Sequence, residues 1–462
     1  MEMKKLILTV KEILDATEGK LLSGDINICV SGISTDSRTI KSGDLFIPLK
    51  GERFNGEEFI DDALNVGSAS LTESINCIRH DNKPIIFVED TKDALHRIAK
   101  YYRSKFDIPF IAITGSSGKT TTKDMIYNVL SMKYNVLKTI GNFNNEIGLP
   151  LTLFKLNDDH EMAVVEMGMS GFGEMRKLKN IASPNVAVYT NIGVAHIEKL
   201  GSRENILKAK SELIENFKDG DTIVINADDD MLIKLLDKKG PKFVTYGINN
   251  GDIRAFDIEL KEESSKYKVL IDGCVLDVEL NVPGKHNIYN SLAAICIGIQ
   301  FDVNKDDIRK ALSKFKPSAM RLNIIDAFGI KIINDVYNAN PSSMKAALSV
   351  LGRYAGRRKI AVLGNMLELG QYADIAHREV GENVKENDID VLITIGDYAL
   401  KIADGAVEKG MDKNNVFRCG NNAEAIDVIK NIMKDSDVFL VKGSRGMKME
   451  EIVKFLQESA YK

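Results

Sequence analysis

The chain has 462 residues, of which 44% are hydrophobic and 28% charged, with 35 Gly and only 9 Pro. That balance supports a sizeable core and excludes collagen-like, mucin-like and broadly disordered chains, and the length calls for about three domains. Lys and Arg number 62 against 66 Asp and Glu, a net charge of −4, so no global positive field exists to hold nucleic acid or an anionic membrane. Apolar runs such as Leu292 to Ile299 (LAAICIGI) fall far short of the ~20 residues a membrane span needs. LILTV, which follows Lys4 and Lys5, is ended by Lys11, too early for a signal-peptide core. A cytoplasmic monomer is expected. Five widely spaced cysteines without C-x-x-C (Cys29, Cys77, Cys274, Cys296, Cys419) argue against a disulfide framework or zinc finger and are expected to be reduced.

In chain order, the first ~90 residues hold short runs such as DLFIPL broken by Gly and polar residues, which predicts a small α/β domain over 1–89. From there to 316 the pattern changes. Short β-rich apolar runs at Phe110 to Thr114, Ala163 to Glu166, Val186 to Ile192 and Thr222 to Asn226 alternate with helical stretches, which predicts a mostly parallel sheet with helices on its faces. Residues 249–282 alternate and carry Gly273, predicting a β excursion within that domain. After Pro317 a second series (Ile330 to Asn334, Lys359 to Leu363, Val391 to Ile395, Val438 to Val441) predicts a separate doubly wound domain over 317–462.

Ligands of open α/β sheets bind beyond the carboxyl ends of the strands. After FIAIT come Gly115, Ser116, Ser117, Gly118, Lys119 and Thr120, with Thr121 following; after MAVV comes Glu166; after VAVYTNI come Gly193 and His196; after TIVIN come Asp228 and Asp229. Four strands thus aim phosphate-binding, carboxylate and imidazole chemistry at one rim. A Gly-rich turn ending in Lys-Thr at a helix start presents backbone N–H groups to phosphates, with Lys119 for the β/γ oxygens and Thr120 for Mg²⁺. It departs from G-x-x-x-x-G-K-[ST], since position 113 is Ile and the glycines stand three apart. Asn304-Lys305-Asp306-Asp307 has the letters of a guanine-reading motif but sits at an expected helix start, and G-x-G-x-x-G follows no expected strand. Alone, Glu166 reads as a cap and His196 as a hydrogen-bonded loop residue; the shared rim raises both, since Mg²⁺ takes carboxylates and phosphate oxygens. Lys210 reads from its helix as a solvated lysine.

TGSSGKTTTKD, GNFNNEIGLPLTL, VVEMGMSGFGEM, NIGVAHIEKLGSRENILKAKSEL, PGKHNIYNSLAA, INDVYNANPSSM, LGNMLELG and VKGSRGMKME, with STDSRTIKSGDLFIPLKGERFNGEEFI near the start, together resemble the bacterial muramyl peptide ligases through the whole chain. The resemblance implies an N-terminal domain for a uridine diphosphate sugar, a central P-loop ATPase domain, and a C-terminal Rossmann-like domain that closes over ATP. It implies amide formation through an acyl phosphate, in cell-wall peptidoglycan synthesis and hence in cell shape and division. NANPSSM and GNFNNEIG favour the type that adds D-alanyl-D-alanine to UDP-N-acetylmuramoyl-tripeptide, over a diamino-acid-adding or folate polyglutamylating relative.

By the same resemblance, Thr120 and Glu166 would hold one Mg²⁺ on the ATP phosphates, and His196 and Lys210 would serve a second, Lys210 as a carbamate. Holding that amine neutral at pH 7 costs about 4.6 kcal/mol from a reference pKa of about 10.4, which the carbamate and its metal bond must offset. Asn287 and Asn290 resemble the adenine side; Arg321 and Asp335, the phosphate and ribose contacts from the C-terminal domain. Asn144 and Asn145 resemble the loop beside metals and substrate, and Tyr337, Asn338, Asn340, Lys442, Ser444 and Arg445 are expected in the same cleft. For the uridine nucleotide the candidates are Ser34, Thr35, Asp36, Ser37, Arg38, Lys50 and Asn55. Two departures limit the carry-over: Asn55-Gly56-Glu57 stands where the family commonly has Asp-Gly-His, and Gly364-Asn365-Met366 where it has Gly-Asp-Met.

Overall fold

The structure, a computed structural model, describes residues 7–51, 54–76 and 82–458. Of the cysteines, Cys29, Cys274, Cys296 and Cys419 are free thiols, and Cys77 lies outside the described residues. No helix among the described residues is long and apolar enough to cross a membrane.

Three large sheets follow one another along the chain. The first has five strands in the order Lys20–Ser23, Ile85–Phe87, Ala69–Thr72, Asp44–Phe46, Gly32–Ser34, parallel except for the first pair. The second has nine. Its parallel part runs Lys242–Gly247, Thr222–Asn226, Val186–Tyr189, Phe110–Thr114, Met162–Glu166, Val136–Lys138. Beyond Lys242–Gly247 the chain adds Ile253–Leu260, Ser265–Ile271 and Cys274–Leu280, an antiparallel meander that fulfils the expected β excursion. The third sheet has six strands, Asn323–Ala327, Ile330–Asn334, Val438–Lys442, Lys359–Gly364, Val391–Ile395, Val416–Cys419. Asn323–Ala327 and Val416–Cys419 were not among the expected strands: the first forms an antiparallel pair with its successor and the second is an edge strand.

Alternation along the central strands explains the layers. Phe110, Ala112, Ala163, Val165, Ala187 and Tyr189 face helices Thr91–Ser104 and Glu174–Ala182, while Ile111, Ile113, Val164, Val188 and Val224 face Lys119–Leu130 and Lys285–Gln300. Both faces are covered, so these strands read as continuous apolar runs. Helix Lys285–Gln300 is buried nearly all round from Asn287 to Gly298, which is why its sequence shows no polar stripe. After Phe110–Thr114 the chain winds to one side through Val136–Lys138 and Met162–Glu166, then crosses to the other through Val186–Tyr189. The loop after Thr114 therefore opens at a topological switch point, where a crevice forms. In the third sheet the last strand, Val438–Lys442, inserts between Ile330–Asn334 and Lys359–Gly364, placing a second crevice at Asp335 and Lys442.

That last strand is tied at its start by Asp437, 1% exposed, whose carboxylate takes Arg358 Nε at 2.9 Å and Nη2 at 2.7 Å and the Lys434 N–H at 2.8 Å. Removing the carboxylate strands a partly buried guanidinium. Asp437→Ala should lower stability by about 3–5 kcal/mol, seen as a lower urea midpoint in circular dichroism.

Candidate active site

The carboxyl ends of the central strands and the adjoining end of the third sheet enclose one cleft of about 900 Å³. Its phosphate side is built from the Gly-rich loop. Gly115 approaches the neighbouring strand so closely that a Cβ would lie 1.9 Å from Thr190 Oγ1. Gly118, at φ +78°, starts helix Lys119–Leu130 in the left-handed region, and a Cβ there would lie 2.6 Å from Asn290 Oδ1. Only glycine meets both demands. The loop is pinned from the next strand: Ser116 N–H donates to Asn191 O, Ser117 N–H to Asn191 Oδ1, and Thr190 Oγ1 to Ser117 O at 2.6 Å. Thr190 and Asn191 were not singled out by the sequence reading, although a polar pair ending a strand beside a Gly-rich loop is a usable signal. Lys119 Nζ donates to Gly115 O at 2.9 Å, which holds it over the loop. Burial lowers its pKa, partly countered by Glu166 and reinforced by Arg321.

Glu166, 2% exposed, ends its strand with both carboxylate oxygens engaged. Thr120 Oγ1 donates to Oε2 at 2.8 Å and Asn144 Nδ2 to Oε1 at 2.7 Å. Thr120, Glu166 and Asn144 thus form one unit. Asn145 also lines the cleft, but its Oδ1 caps the Ile147 and Gly148 N–H groups. Among the described residues no three His, Cys, Asp or Glu side chains gather to make a metal cage. A hydroxyl and one carboxylate beside a phosphate loop fit Mg²⁺ nonetheless, because that ion keeps several waters and binds through one or two carboxylates plus phosphates.

His196 lines the cleft at φ +62°, and its Nδ1 lies 2.6 Å from Glu368 Oε2 of the third-sheet domain. Lys210 is 1% exposed and does not wall the cleft. Its expected solvated state as an ordinary helix lysine is overturned: burial, with Lys119 nearby, pushes its ammonium well below the usual lysine range. Asp229 reaches the cleft, whereas Asp228 is used elsewhere, accepting the N–H groups of Ile248, Asn249 and Asn250 and the Tyr289 hydroxyl.

Asn287 and Asn290 line the cleft with their amides already linked: Asn287 Nδ2 donates to Pro283 O, Asn290 Nδ2 to Asn287 Oδ1, and Thr122 Oγ1 to Asn290 Oδ1. His286, just before Asn287, is a cleft residue that the sequence reading passed over. Burial, with Lys442 close by, holds its imidazole down to about 4, so it is neutral.

The opposite wall comes from the C-terminal domain. Arg321 stacks on Tyr337 with its guanidinium carbon 4.0 Å from the ring centroid. Lys442, 1% exposed, donates to Asp335 Oδ2 at 2.5 Å and to Asn338 O at 2.9 Å, and Asp335 Oδ1 also takes the Leu322 N–H. Asn340 caps helix Pro341–Leu351, whose first turn faces the cleft with Ser342 and Ser343. Ser444 and Arg445 are not brought to it. The Ser444 hydroxyl accepts the Leu367 N–H at 2.9 Å, and Arg445 pairs with Glu450 on an exposed face.

Ser34, Thr35, Asp36, Ser37, Arg38, Lys50 and Asn55 lie outside this cleft, near the carboxyl ends of parallel strands of the first sheet. Ser34 closes a turn on Asp36, and the Arg38 guanidinium beside Asp36 holds that carboxyl down to about 2. Lys50 pairs with Glu73, and Asn55 caps Glu57. Both family departures have local work. Glu57 accepts from Thr72 Oγ1 at 2.7 Å and the Glu73 N–H at 2.8 Å; Asn365 Oδ1 accepts the Ala399 N–H at 2.8 Å.

Comparison with known proteins agrees with this geometry. Residues 29–103 match the model of the Mur ligase family catalytic domain, 113–298 the Mur ligase middle domain, and 320–445 the Mur ligase glutamate ligase domain. The chain is 40% identical over 455 residues to the UDP-N-acetylmuramoyl-tripeptide–D-alanyl-D-alanine ligase of Bacillus subtilis (strain 168), covering 98% of each. It superposes on a crystal structure of MurF from Acinetobacter baumannii with a TM-score of 0.91 at 32% identity, covering 98% of this chain and 100% of the other. MurF from Thermotoga maritima in complex with ADP gives a TM-score of 0.82 at 30% identity, covering 93% and 97%. With its phosphate loop, its three sheets in order and full-length similarity at this level, the chain belongs to the Mur ligase family.

Proposed function

We propose that the protein is an ATP-dependent, ADP-forming ligase that joins D-alanyl-D-alanine to UDP-N-acetylmuramoyl-tripeptide, giving the UDP-muramoyl-pentapeptide of peptidoglycan synthesis. The observation that carries this reading is the composite cleft, where the phosphate loop of one domain faces Arg321, Asp335 and Lys442 of another. We assign the uridine diphosphate sugar to the rim formed by Ser34–Arg38, Lys50 and Asn55 in domain 1–89, ATP to domain 90–316, and closure over the nucleotide to domain 317–462. A cytoplasmic setting suits these nucleotide substrates.

In the first step the terminal carboxylate of the tripeptide attacks the γ-phosphorus; the bond to the β-bridging oxygen breaks, and acyl phosphate and ADP result. In the second, the dipeptide amine adds to the acyl carbon, inorganic phosphate leaves, and the amine proton is lost. Both reactants of the first step are anionic, so the chain must offset their repulsion. Lys119, fixed by Gly115 O, and the N–H groups that open helix Lys119–Leu130 face the phosphates. Arg321, held flat on Tyr337, supplies a further cation from the facing wall. Thr120 and Glu166 would hold one Mg²⁺, and His196 with Lys210 would serve a second. Bound Mg²⁺ neutralises phosphate oxygens and polarises the transferring group. Two walls from different domains exclude water, which would otherwise hydrolyse the acyl phosphate.

The lowered pKa of Lys210 supports its modification. A neutral amine adds to CO₂, the C–N bond forms, a proton is released, and a cation becomes a carboxylate-like ligand. The family resemblance suggests this carbamate.

The direct test is ADP release with ATP, Mg²⁺ and UDP-N-acetylmuramoyl-tripeptide, with and without D-alanyl-D-alanine, followed by mass analysis. Turnover that needs all three substrates and yields the pentapeptide is expected; ADP release indifferent to both muramoyl substrate and dipeptide would point to a P-loop switch. Lys210→Ala should lower turnover by at least about 10²-fold, and added bicarbonate should not restore it. Full activity in that variant would end the carbamate assignment. Stability should fall with acid through His286. Its folded pKa of about 4 lies below the ordinary value near 6.5, so its contribution is complete above pH 6.5 and is lost as the pH falls to about 4. The loss amounts to roughly 3 kcal/mol, and the urea midpoint of His286→Gln should respond less steeply over that window.

A further inference from the structure

The loop after strand Lys359–Gly364 carries one carboxylate into the other domain's half of the cleft. Three hydrogen bonds anchor this loop. The Met366 N–H donates to His377 Nε2 at 2.9 Å, the Leu367 N–H to Ser444 Oγ at 2.9 Å, and Asn365 Oδ1 takes the Ala399 N–H. All three partners belong to the C-terminal domain, so the loop's shape is set there. Glu368 projects from it with a side chain 60% exposed, contributing nothing to its own domain's core.

Across the boundary, the Glu198 N–H points at Glu368 O at 3.4 Å, and Gly370 packs on Glu198, where a Cβ would meet side-chain carbon at 3.1 Å. At the centre of this contact Glu368 Oε2 stands 2.6 Å from His196 Nδ1. That nitrogen is buried and, among the described residues, has no aligned hydrogen-bond partner, Glu368 being the carboxylate within its reach. Both residues hold left-handed backbone, His196 at φ +62° and Glu368 at φ +63°. Non-glycine residues keep that conformation where their surroundings demand it, and here the two meet each other.

We infer that Glu368 is a positioning residue for the ligase reaction: the C-terminal domain brings in its carboxylate, which takes the Nδ1–H side of the His196 ring and leaves Nε2 as the nitrogen with a free electron pair. A histidine that binds a metal commonly gives its other ring N–H to such a carboxylate, which fixes tautomer and ring orientation. Here the carboxylate belongs to a different domain from the imidazole, so the imidazole is oriented only while the two domains are together. This rests on the reading of His196 as a Mg²⁺ ligand.

The test uses the full chain with ADP and UDP-N-acetylmuramoyl-tripeptide, a combination that cannot react, and Mn²⁺ as the probe, free ion being followed by electron paramagnetic resonance. Glu368→Ala should weaken one class of Mn²⁺ binding by about 10–100-fold and leave the other unchanged. Glu368→Gln, whose amide oxygen can still accept, should fall between. Because Glu368 is largely exposed, melting temperatures should match the unaltered protein. If His196→Ala weakens that class while Glu368→Ala binds as the unaltered protein does, the positioning role is overturned and the histidine assignment stands. If His196→Ala also leaves Mn²⁺ binding unchanged, both fall.

Discussion

A carboxylate that must approach a triphosphate sets the terms for this molecule, because the reactants repel each other at every distance that matters. At 4 Å two unit charges interact by about 4 kcal/mol at an effective dielectric of 20, and closing out water raises that figure. In the proposed reaction the positive ends that would offset this repulsion are the helix N–H groups, Lys119 and Arg321, with Lys442 already paired to Asp335. Each is held by a neighbour, whether a carbonyl, a ring face or a carboxylate, so none has to be reorganised when charge develops. The cleft is lined from both the central and the C-terminal domain.

Buried cations bring their own cost, and the structure meets it in three ways. Lys442 is neutralised by Asp335 within a hydrogen-bonded pair. Lys119 keeps contact with a carbonyl and lies near Glu166. Among the described residues Lys210 has no carboxylate partner, and burial disfavours its ammonium. Three lysines with one formal charge thus stand in three electrostatic states, set by burial and partners.

Much of this could be read from the letters. Strand-end chemistry was legible because a parallel sheet gathers the carboxyl ends of its strands, and Thr120, Glu166 and His196 do share the cleft. Lys210 was illegible from spacing: burial of a helix lysine depends on which face the tertiary packing covers, and AKSEL alone does not say. Ser444 and Arg445 follow a strand as cleft residues should, yet the turn spends the Ser444 hydroxyl on the Leu367 N–H and directs Arg445 outward. His286, directly before the conspicuous Asn287, gave no signal of its own, because its place in the cleft and its burial depend on tertiary packing. Asn323–Ala327 escaped notice because this half-buried edge strand, with Asp326 exposed, lacks the apolar run of its neighbours. Glu368 carries no sequence signal for its partner, since His196 lies 172 positions earlier in a different domain.

Asn290 ends up touching two parts of the phosphate loop's helix, Gly118 through the missing Cβ and Thr122 through its hydroxyl. The helix that carries it, Lys285–Gln300, is packed almost without solvent against Lys119–Leu130. The groups expected at the two ends of a nucleotide are therefore mounted on two helices that share one packed core. A nucleotide held there would meet Arg321 and Asp335 as the other wall moves against this core as a unit, so both walls would share in recognising it.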